Sequence, residues 1–139
     1  MSKIIDIRIG FQIEPRGKGS VRVGQYGSYK DAKTSAFMNE IKRQARLQYK
    51  APPISRGHFL FVETEFAFSR PKRPKYACPY KPDIDNLEKN LYDALTGIVW
   101  HDDAFIQGHS NHKTYAPAGN PGFITIWVKS FGHGYAEGD

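Results

Sequence analysis

The sequence predicts a single α+β domain in which two helices pack on a four-stranded sheet, in the order β-α-β-α-β-β. Near both ends of the chain, apolar and polar residues alternate with a period of two, as in half-buried strands. Between these ends, two stretches repeat apolar residues every three or four positions, as in amphipathic helices. At 139 residues, 40% of them hydrophobic, the chain is long enough for one core. We therefore expect one domain over residues 1–131 and a flexible tail over residues 132–139.

The first half of the chain predicts a strand, a glycine-rich segment and a helix. The strand covers residues 4–13, where isoleucines and a phenylalanine alternate with polar residues. Residues 16–30, the basic arm, hold four glycines among basic residues and two tyrosines, which indicates a mobile loop or a loose hairpin. Residues 31–49 have the spacing of a helix, which Pro52 and Pro53 end.

The second half of the chain predicts a second helix between strands. A strand over residues 57–68 carries apolar residues in both phases at its start, as expected inside a sheet. A proline-containing loop follows, and the second helix covers residues 83–97. Two more strands cover residues 104–115 and 122–131, joined by a turn over residues 117–121.

Positive charge is concentrated in two segments of a chain whose formal net charge is +6. Between residues 14 and 50 there are nine basic residues against three acidic ones, and a second basic run occupies residues 70–75. Such segments suit the phosphates of a nucleic acid, although a solvated surface loop explains the basic arm equally well. The side chains that we expect to contact phosphates are Arg16, Lys18, Arg22, Lys30, Arg70, Lys72, Arg73, Lys75 and Lys81.

Neither a membrane nor an oxidising compartment is indicated by the sequence. No apolar run reaches the ~20 residues that span a bilayer, and Asp6 and Arg8 interrupt the stretch where a signal peptide has its apolar core. The single cysteine, Cys78, has no partner for an internal disulfide and no zinc-ligand spacing around it. We therefore expect a cytoplasmic protein with no membrane association.

Four aspartates flank the second predicted helix. Asp83 and Asp85 lie at its start, directly after a proline, and Asp102 and Asp103 follow its end. Acidic residues that cluster in an otherwise basic protein suggest a metal ion held against a polyanion. Carboxylate oxygens suit Mg²⁺ or Mn²⁺, which keep water or phosphate oxygens as their other ligands. Lys89, one turn after Asp85, is then placed to hold a phosphate or the attacking water.

Two simpler explanations compete for the first acidic pair. Asp85 and Glu88 have the spacing of a capping box, in which Asp85 is the N-cap. Asp85, Lys89 and Asp93 also have the four-residue spacing of surface ion pairs. Neither explanation accounts for Asp83 or for the second acidic pair.

The spacing leaves open where the second acidic pair lies relative to the first. A helix over residues 83–97 is roughly 20 Å long at about 1.5 Å per residue. Residues 102 and 103 return to the start of this helix only if the next strand begins there. In an antiparallel connection from helix to strand, the strand begins at the other end.

Around this helix the chain reads Asp83-Ile84-Asp85-Asn86-Leu87, with Lys89 one turn on, then Asp93-Ala94-Leu95, and finally Trp100 followed by Asp102-Asp103. These residues, and the separation of the two acidic pairs, resemble the RusA family of Holliday junction resolvases. That family is found in bacteria and in their phages and prophages.

The resemblance implies a homodimeric, Mg²⁺-dependent endonuclease that nicks two strands symmetrically across a four-way DNA junction, with Mn²⁺ as a substitute metal. Matched to the motif, the implied metal ligands are Asp83, Asp85 and Asp103, and Lys89 is the implied essential lysine. These four residues form the implied catalytic set. Asp102 is implied to be a neighbour of the metal, with its role left open.

Two other functions compete with this interpretation. A restriction-type nuclease requires, after Pro-Asp, an acidic residue separated from a lysine by one residue; Glu88 and Lys89 are adjacent, so this motif fails. A non-catalytic DNA-binding module for branched DNA explains the basic charge and the aromatic residues, and it remains the alternative. Such a module gives no reason for acidic residues beside DNA, where they weaken binding unless a metal neutralises them.

Overall fold

The computed structural model describes residues 4–17, 22–24, 27–29 and 31–133 of the chain. Within these residues, six strands and two α-helices follow one another, with one short 3-10 helix. In chain order the elements are β1 (Ile5–Phe11), β2 (Arg22–Gly24), β3 (Gly27–Tyr29), α1 (Ala32–Gln48), β4 (His58–Phe68), α2 (Ile84–Leu95), the 3-10 helix (Asp103–Phe105), β5 (Ile106–Tyr115) and β6 (Phe123–His133).

Four of the strands form a mixed sheet in the order β1-β6-β4-β5. β6 pairs antiparallel with β1 on one side and with β4 on the other, whereas β4 and β5 are parallel. A parallel pair needs a crossover connection, and α2 supplies it between β4 and β5. α2 therefore runs antiparallel to these two strands. This architecture confirms the predicted α+β fold, with two helices on a four-stranded sheet.

The apolar core lies between the two helices and one face of the sheet. Strand residues alternate between this core and the opposite face, as the period of two predicts. The largest side chains that are almost fully buried in the core are Ile9, Phe11, Ile41, Leu60, Phe66, Leu87, Leu91, Leu95, Trp100, Ile124 and Ile126. Among the described residues, no helix covers the opposite face of the sheet.

α2 ends two residues earlier than the spacing predicts, because the chain reverses after Leu95. Gly97 has a φ of +93°, which glycine adopts at little cost, and its amide donates to the main-chain oxygen of Trp100 at 2.7 Å. The indole N–H of Trp100 donates to Thr96 Oγ1 at 3.0 Å, and the residue is only 1% exposed. The turn therefore anchors Trp100 in the core.

Three other predictions are refined by the structure. β5 and β6 are separated by β4, so residues 117–121 connect strands that are not neighbours. β2 and β3 pair antiparallel, which confirms the hairpin interpretation for the described part of the basic arm. β6 runs to His133, two residues into the predicted tail, and residues 134–139 lie outside the described residues.

No α-helix within residues 4–17, 22–24, 27–29 and 31–133 is long and apolar enough to cross a membrane.

Candidate active site

Asp83 and Asp85 lie at the N-terminus of α2, where unpaired backbone amides and the helix dipole favour negative charge. Asp83 is the N-cap residue, and its main-chain oxygen accepts hydrogen bonds from the amides of Asn86 at 3.1 Å and Leu87 at 3.2 Å. Its carboxylate makes no capping hydrogen bond within the described residues and pairs with Lys81 Nζ at 3.2 Å. Both aspartate side chains are exposed, so their carboxylates are accessible to a ligand.

The capping-box explanation of Asp85 is wrong. The helix begins at Ile84, so the N-cap is Asp83, and Asp85 belongs to the first turn. Glu88 does not reach back to the cap. Its Oε2 accepts a hydrogen bond from Asn111 Nδ2 and lies 3.0 Å from His109 Nδ1, both on β5. Capping therefore does not explain why an aspartate occupies position 85.

The predicted ion pair with Lys89 does not explain Asp85 either. Among the described residues, no ion pair joins Asp85 to Lys89. Both side chains are exposed on α2, one turn apart. Asp85, in the first turn of α2, and Lys89, one turn further on, are thus exposed to an external ligand.

The base of the basic arm packs against the first turns of α2. Asn90, which is fully buried, donates from Nδ2 to the main-chain oxygen of Arg16 at 3.0 Å. A Cβ atom on Gly17 would lie 2.9 Å from both Asn86 Nδ2 and Pro82 Cβ, so the backbone passes too close for a side chain. The arm therefore leaves the domain beside the two exposed aspartates. No pattern in the sequence indicated this contact.

The basic residues expected to contact phosphates lie in different parts of the structure. Arg16 lies at the base of the arm and its Nη2 is 3.5 Å from Asp31 Oδ1. Lys81 pairs with Asp83, whose carboxylate raises the pKa of the lysine through a hydrogen bond. Those that are exposed in the loop between β4 and α2 are Arg70, Lys72, Arg73 and Lys75. Lys18 and Lys30 lie outside the described residues, and the side chain of Arg22 lies outside them too.

One basic residue that the sequence analysis did not single out holds this loop in place. Lys113 on β5 donates from Nζ to the main-chain oxygens of Tyr80 at 3.2 Å and Pro82 at 3.1 Å. These contacts fix the end of the basic loop against the sheet, immediately before Asp83. The sequence around Lys113 is that of an ordinary strand and does not indicate this role. The contact depends on which strand β5 pairs with, and pairing is not visible in the sequence.

Asp102 and Asp103 have different surroundings at the start of β5. Asp102 is the N-cap of the 3-10 helix: its Oδ1 accepts from the amide of Ala104 at 2.9 Å, and its Oδ2 lies 3.6 Å from Arg56 Nε. Asp103 lines a cleft of about 330 Å³ between α2 and β5, together with Lys89 and other polar side chains. The local contacts thus give Asp102 a structural role and leave Asp103 facing the cleft.

The structure does not bring the three implied metal ligands together. Because β5 is parallel to β4, it begins beside the C-terminal half of α2, and the cleft that Asp103 lines includes Lys89, Tyr92 and Asp93 of this helix. Within the described residues, no group of three histidine, cysteine or acidic side chains is arranged to hold a metal. The donor set that fits Mg²⁺ is the exposed pair at the N-terminus, since this ion often takes one or two carboxylates.

A network of polar residues links α2 to β5 inside the cleft, and sequence reasoning missed it. The carboxylate of Glu88 contacts His109 Nδ1 and accepts a hydrogen bond from Asn111 Nδ2. The same nitrogen of Asn111 lies 3.4 Å from the hydroxyl of Tyr92. Burial raises the pKa of Tyr92 to about 12. Spacing along α2 assigned Glu88 to a cap, and nothing in the sequence indicated that β5 would supply its partners.

A comparison with family models supports the resemblance seen around the acidic motif. The model described as Endodeoxyribonuclease RusA matches residues 12–126, which include both helices, the two acidic pairs and most of the sheet. A comparison with curated proteins gave no match. Because the match extends over most of the chain, the chain belongs to the RusA endodeoxyribonuclease family.

Proposed function

We propose that this member of a nuclease family is a Mg²⁺-dependent, cytoplasmic endodeoxyribonuclease that resolves four-way DNA junctions by paired symmetric nicks. We also propose that it acts as a homodimer and that its gene belongs to a phage or prophage. The observation that carries the proposal is the pair of exposed carboxylates on Asp83 and Asp85. They lie at the N-terminus of α2 in a chain with a formal net charge of +6, and the carboxylate of Asp83 makes no capping hydrogen bond within the described residues.

Asp83 and Asp85 are the residues that would hold the metal, with water and phosphate oxygens as the remaining ligands. A bound Mg²⁺ supplies a more acidic water and neutralises charge that develops on the phosphoryl oxygens. Lys89 is exposed one turn from Asp85 and would bind the phosphate as a point charge. Asp103 remains a proposed member of the catalytic set, supported by the family motif and by the cleft that it shares with Lys89.

The path of the DNA backbone is suggested by the basic residues around the same helix end. The loop that holds Arg70, Lys72, Arg73 and Lys75 leads directly into Asp83, and the base of the basic arm packs on the adjacent turns. Basic side chains on two sides of the acidic pair would offset the repulsion between carboxylates and phosphates. The DNA would then pass over the N-terminus of α2.

The homodimer follows from the reaction and the family. One exposed acidic pair per chain can serve one strand at a time, whereas symmetric nicks in two strands need two such sites. A two-fold axis in the protein would match the two-fold symmetry of a four-way junction. Light scattering of the protein mixed with junction DNA measures the mass of the complex, and one chain per junction would contradict the homodimer.

The function is tested by incubating the protein with a synthetic four-way junction and with a linear duplex of the same sequence. We expect paired nicks in the junction when Mg²⁺ or Mn²⁺ is present, an intact duplex, and no products in EDTA. If the protein were the non-catalytic alternative, the junction would be shifted in a native gel while every strand stayed intact with either metal.

A further inference from the structure

Two exposed tyrosines lie in the loop between β4 and α2, shortly before the acidic pair. Tyr76 is 59% exposed and Tyr80 is 69% exposed, whereas Tyr92 and Trp100 are buried in the core. The centres of the two exposed rings are 5.9 Å apart, and the ring planes are inclined to each other by 45°. We call this pair of rings the tyrosine platform. Exposed aromatic side chains that group in this way mark a surface for interaction.

The backbone that carries the platform is fixed to the sheet next to the acidic pair. Lys113 Nζ on β5 donates to the main-chain oxygens of Tyr80 and Pro82, at 3.2 Å and 3.1 Å. Tyr80 precedes Asp83 by three residues, which limits the distance between their Cα atoms to roughly 10 Å. A DNA strand advances ~3.4 Å per nucleotide, so a strand with a phosphate at Asp83 brings its neighbouring bases within reach of the platform.

The charges around the platform suit a polyanion. Residues 69–82 hold five basic side chains and no acidic one. Lys81 joins the platform to the acidic pair, since its Nζ lies 5.6 Å from the centre of the Tyr80 ring and 3.2 Å from Asp83 Oδ1. Proteins that bind unpaired nucleic acid combine the same two features, because the bases stack on aromatic rings while cations bind the phosphates.

A base can use the platform only after it has left its own stack. In a linear duplex, neighbouring bases cover both faces of each base, and a protein reaches only the base edges in the grooves. At the branch point of a four-way junction the strands change partners, so a base there leaves its stack at a lower cost than a base inside a duplex. The platform therefore fits branched DNA better than linear DNA.

We propose that Tyr76 and Tyr80 stack on an unstacked base at the branch point, on the strand whose phosphate lies at Asp83 and Asp85. The inference rests on the proposed function, because it takes a four-way junction as the ligand. It adds a base-binding site that discriminates branched DNA from a linear duplex. The two tyrosines bind DNA and take no part in the chemistry at the phosphate.

The test measures DNA binding in EDTA by fluorescence anisotropy, which separates affinity from cleavage. The double variant Tyr76→Ala/Tyr80→Ala removes both rings, and it keeps the anchor of the loop because Lys113 bonds to the main-chain oxygen of Tyr80. We expect its Kd for a four-way junction to rise by about tenfold or more. Its Kd for a linear duplex of the same sequence should change by less than about twofold, because the duplex offers no base face.

Two control variants separate stacking from other effects of the substitution. Tyr76→Phe/Tyr80→Phe keeps both ring faces, so it should bind the junction and the duplex as the wild type does. Leu47→Ala removes a side chain that is 60% exposed on α1, and it should leave both affinities unchanged.

Removal of the base provides a second, independent measurement. Abasic nucleotides are placed in turn at the positions next to the branch point of the junction. At one of these positions we expect the missing base to weaken wild-type binding by about tenfold and to leave the double alanine variant within about twofold, because that variant has no rings to lose. If the two losses are independent at every position, the tyrosines contact no base and the inference is overturned.

The outcomes for the base-binding site and for the nuclease are distinguishable. An equal rise in Kd for junction and duplex, or no rise for either, would overturn the inference even if the wild-type protein cleaves junctions in Mg²⁺. Coupling between the rings and one base in a protein that never cleaves would contradict the proposed nuclease and support the base-binding site.

Discussion

Asp83 and Asp85 are two positions apart but have different surroundings. Asp83 ends the loop, receives two backbone amides on its main-chain oxygen and pairs with Lys81 through its carboxylate. Asp85 extends from the first turn of α2 and is exposed. Within the described residues, removing the charge of Asp85 therefore disturbs few contacts, so a change in activity would report on ligand binding.

We expect Asp85→Asn to lower junction cleavage by about two orders of magnitude or more, because it removes a proposed metal ligand. Junction binding should be unchanged or tighter, since a charge that repels phosphate is lost. Single-turnover cleavage and gel-shift assays measure the two effects. Asp102→Asn is the control: asparagine also caps helices, so the 3-10 helix and the cleavage rate should be retained. Normal cleavage by Asp85→Asn would rule out its role as a ligand.

Tyr92 makes the stability of the fold sensitive to alkaline pH. Burial raises its pKa from 10.0 to about 12, so the folded state keeps the phenolic proton that the unfolded chain loses. The contribution of the Tyr92 phenol to the free energy of unfolding is fully present below pH 10, and it is lost as pH rises from 10 to about 12. We expect the free energy of unfolding to fall more steeply in this range for the wild type than for Tyr92→Phe, by on the order of 2 kcal/mol.

Urea denaturation of both proteins at neutral pH and above pH 10 measures this difference. At neutral pH the two should agree within about 1 kcal/mol, because the phenylalanine ring keeps the edge-to-face contact with Trp100 at 5.6 Å. Parallel alkaline profiles for the two proteins would show that the hydroxyl of Tyr92 is hydrated in the folded state.

At the scale of elements, α2 organises the site through what packs on its two ends. The base of the basic arm lies on its first turns, and the start of β5 lies beside its last ones. The apolar residues of α2 face the sheet, which fixes the rotation of the helix about its axis. That rotation also turns the side chains of Asp85 and Lys89 toward solvent.

We expect Gly17→Ala to destabilise the packing of the arm on α2 by about 1–3 kcal/mol, because the new methyl group would meet Asn86 and Pro82 at 2.9 Å. Junction affinity should fall with it, since Arg16 is displaced. Gly10→Ala is the matched control, because a Cβ at that position meets nothing within 4 Å in the described structure. Denaturation and gel shifts compare the two. Equal stability of both variants would show that the base of the arm can shift away from Asn86 and Pro82 without a cost in the free energy of unfolding.

At the scale of the whole molecule, basic residues surround one end of α2. The face of the sheet that the helices leave uncovered carries both positive and negative charges. The loop before α2 is the largest exposed basic segment among the described residues near the acidic pair. Its contribution to DNA binding is measurable as salt dependence, since each phosphate contact releases about one counterion.

Replacing Lys72, Arg73 and Lys75 together by glutamine should reduce the slope of log affinity against log salt by up to about 2.7 for junction binding. The control replaces Lys33, Lys42 and Arg46 on α1, and its slope should change less. Titrations at several salt concentrations measure both slopes. Equal changes in the two variants would place the DNA over α1 as well as over the loop.

The sequence by itself determined the order of the elements and the motif at the start of α2. Period-two and helical patterns are local, so β1, α1, β4, α2 and β6 were found within a few residues of their observed bounds. The residues that identify the RusA family also lie within one short stretch, and the comparison over residues 12–126 confirmed the family.

Tertiary structure alone decided how the two acidic pairs lie relative to each other. The number of residues between the two acidic pairs is the same whether the strand after α2 pairs parallel or antiparallel with its neighbour. The pairing is decided by hydrogen bonds to strands that are distant in sequence. The parallel pairing of β5 with β4 places Asp103 beside the C-terminal half of α2 and gives Glu88 its partners on β5. For the same reason, only the assembled sheet shows Phe61 and Trp127 on one uncovered face.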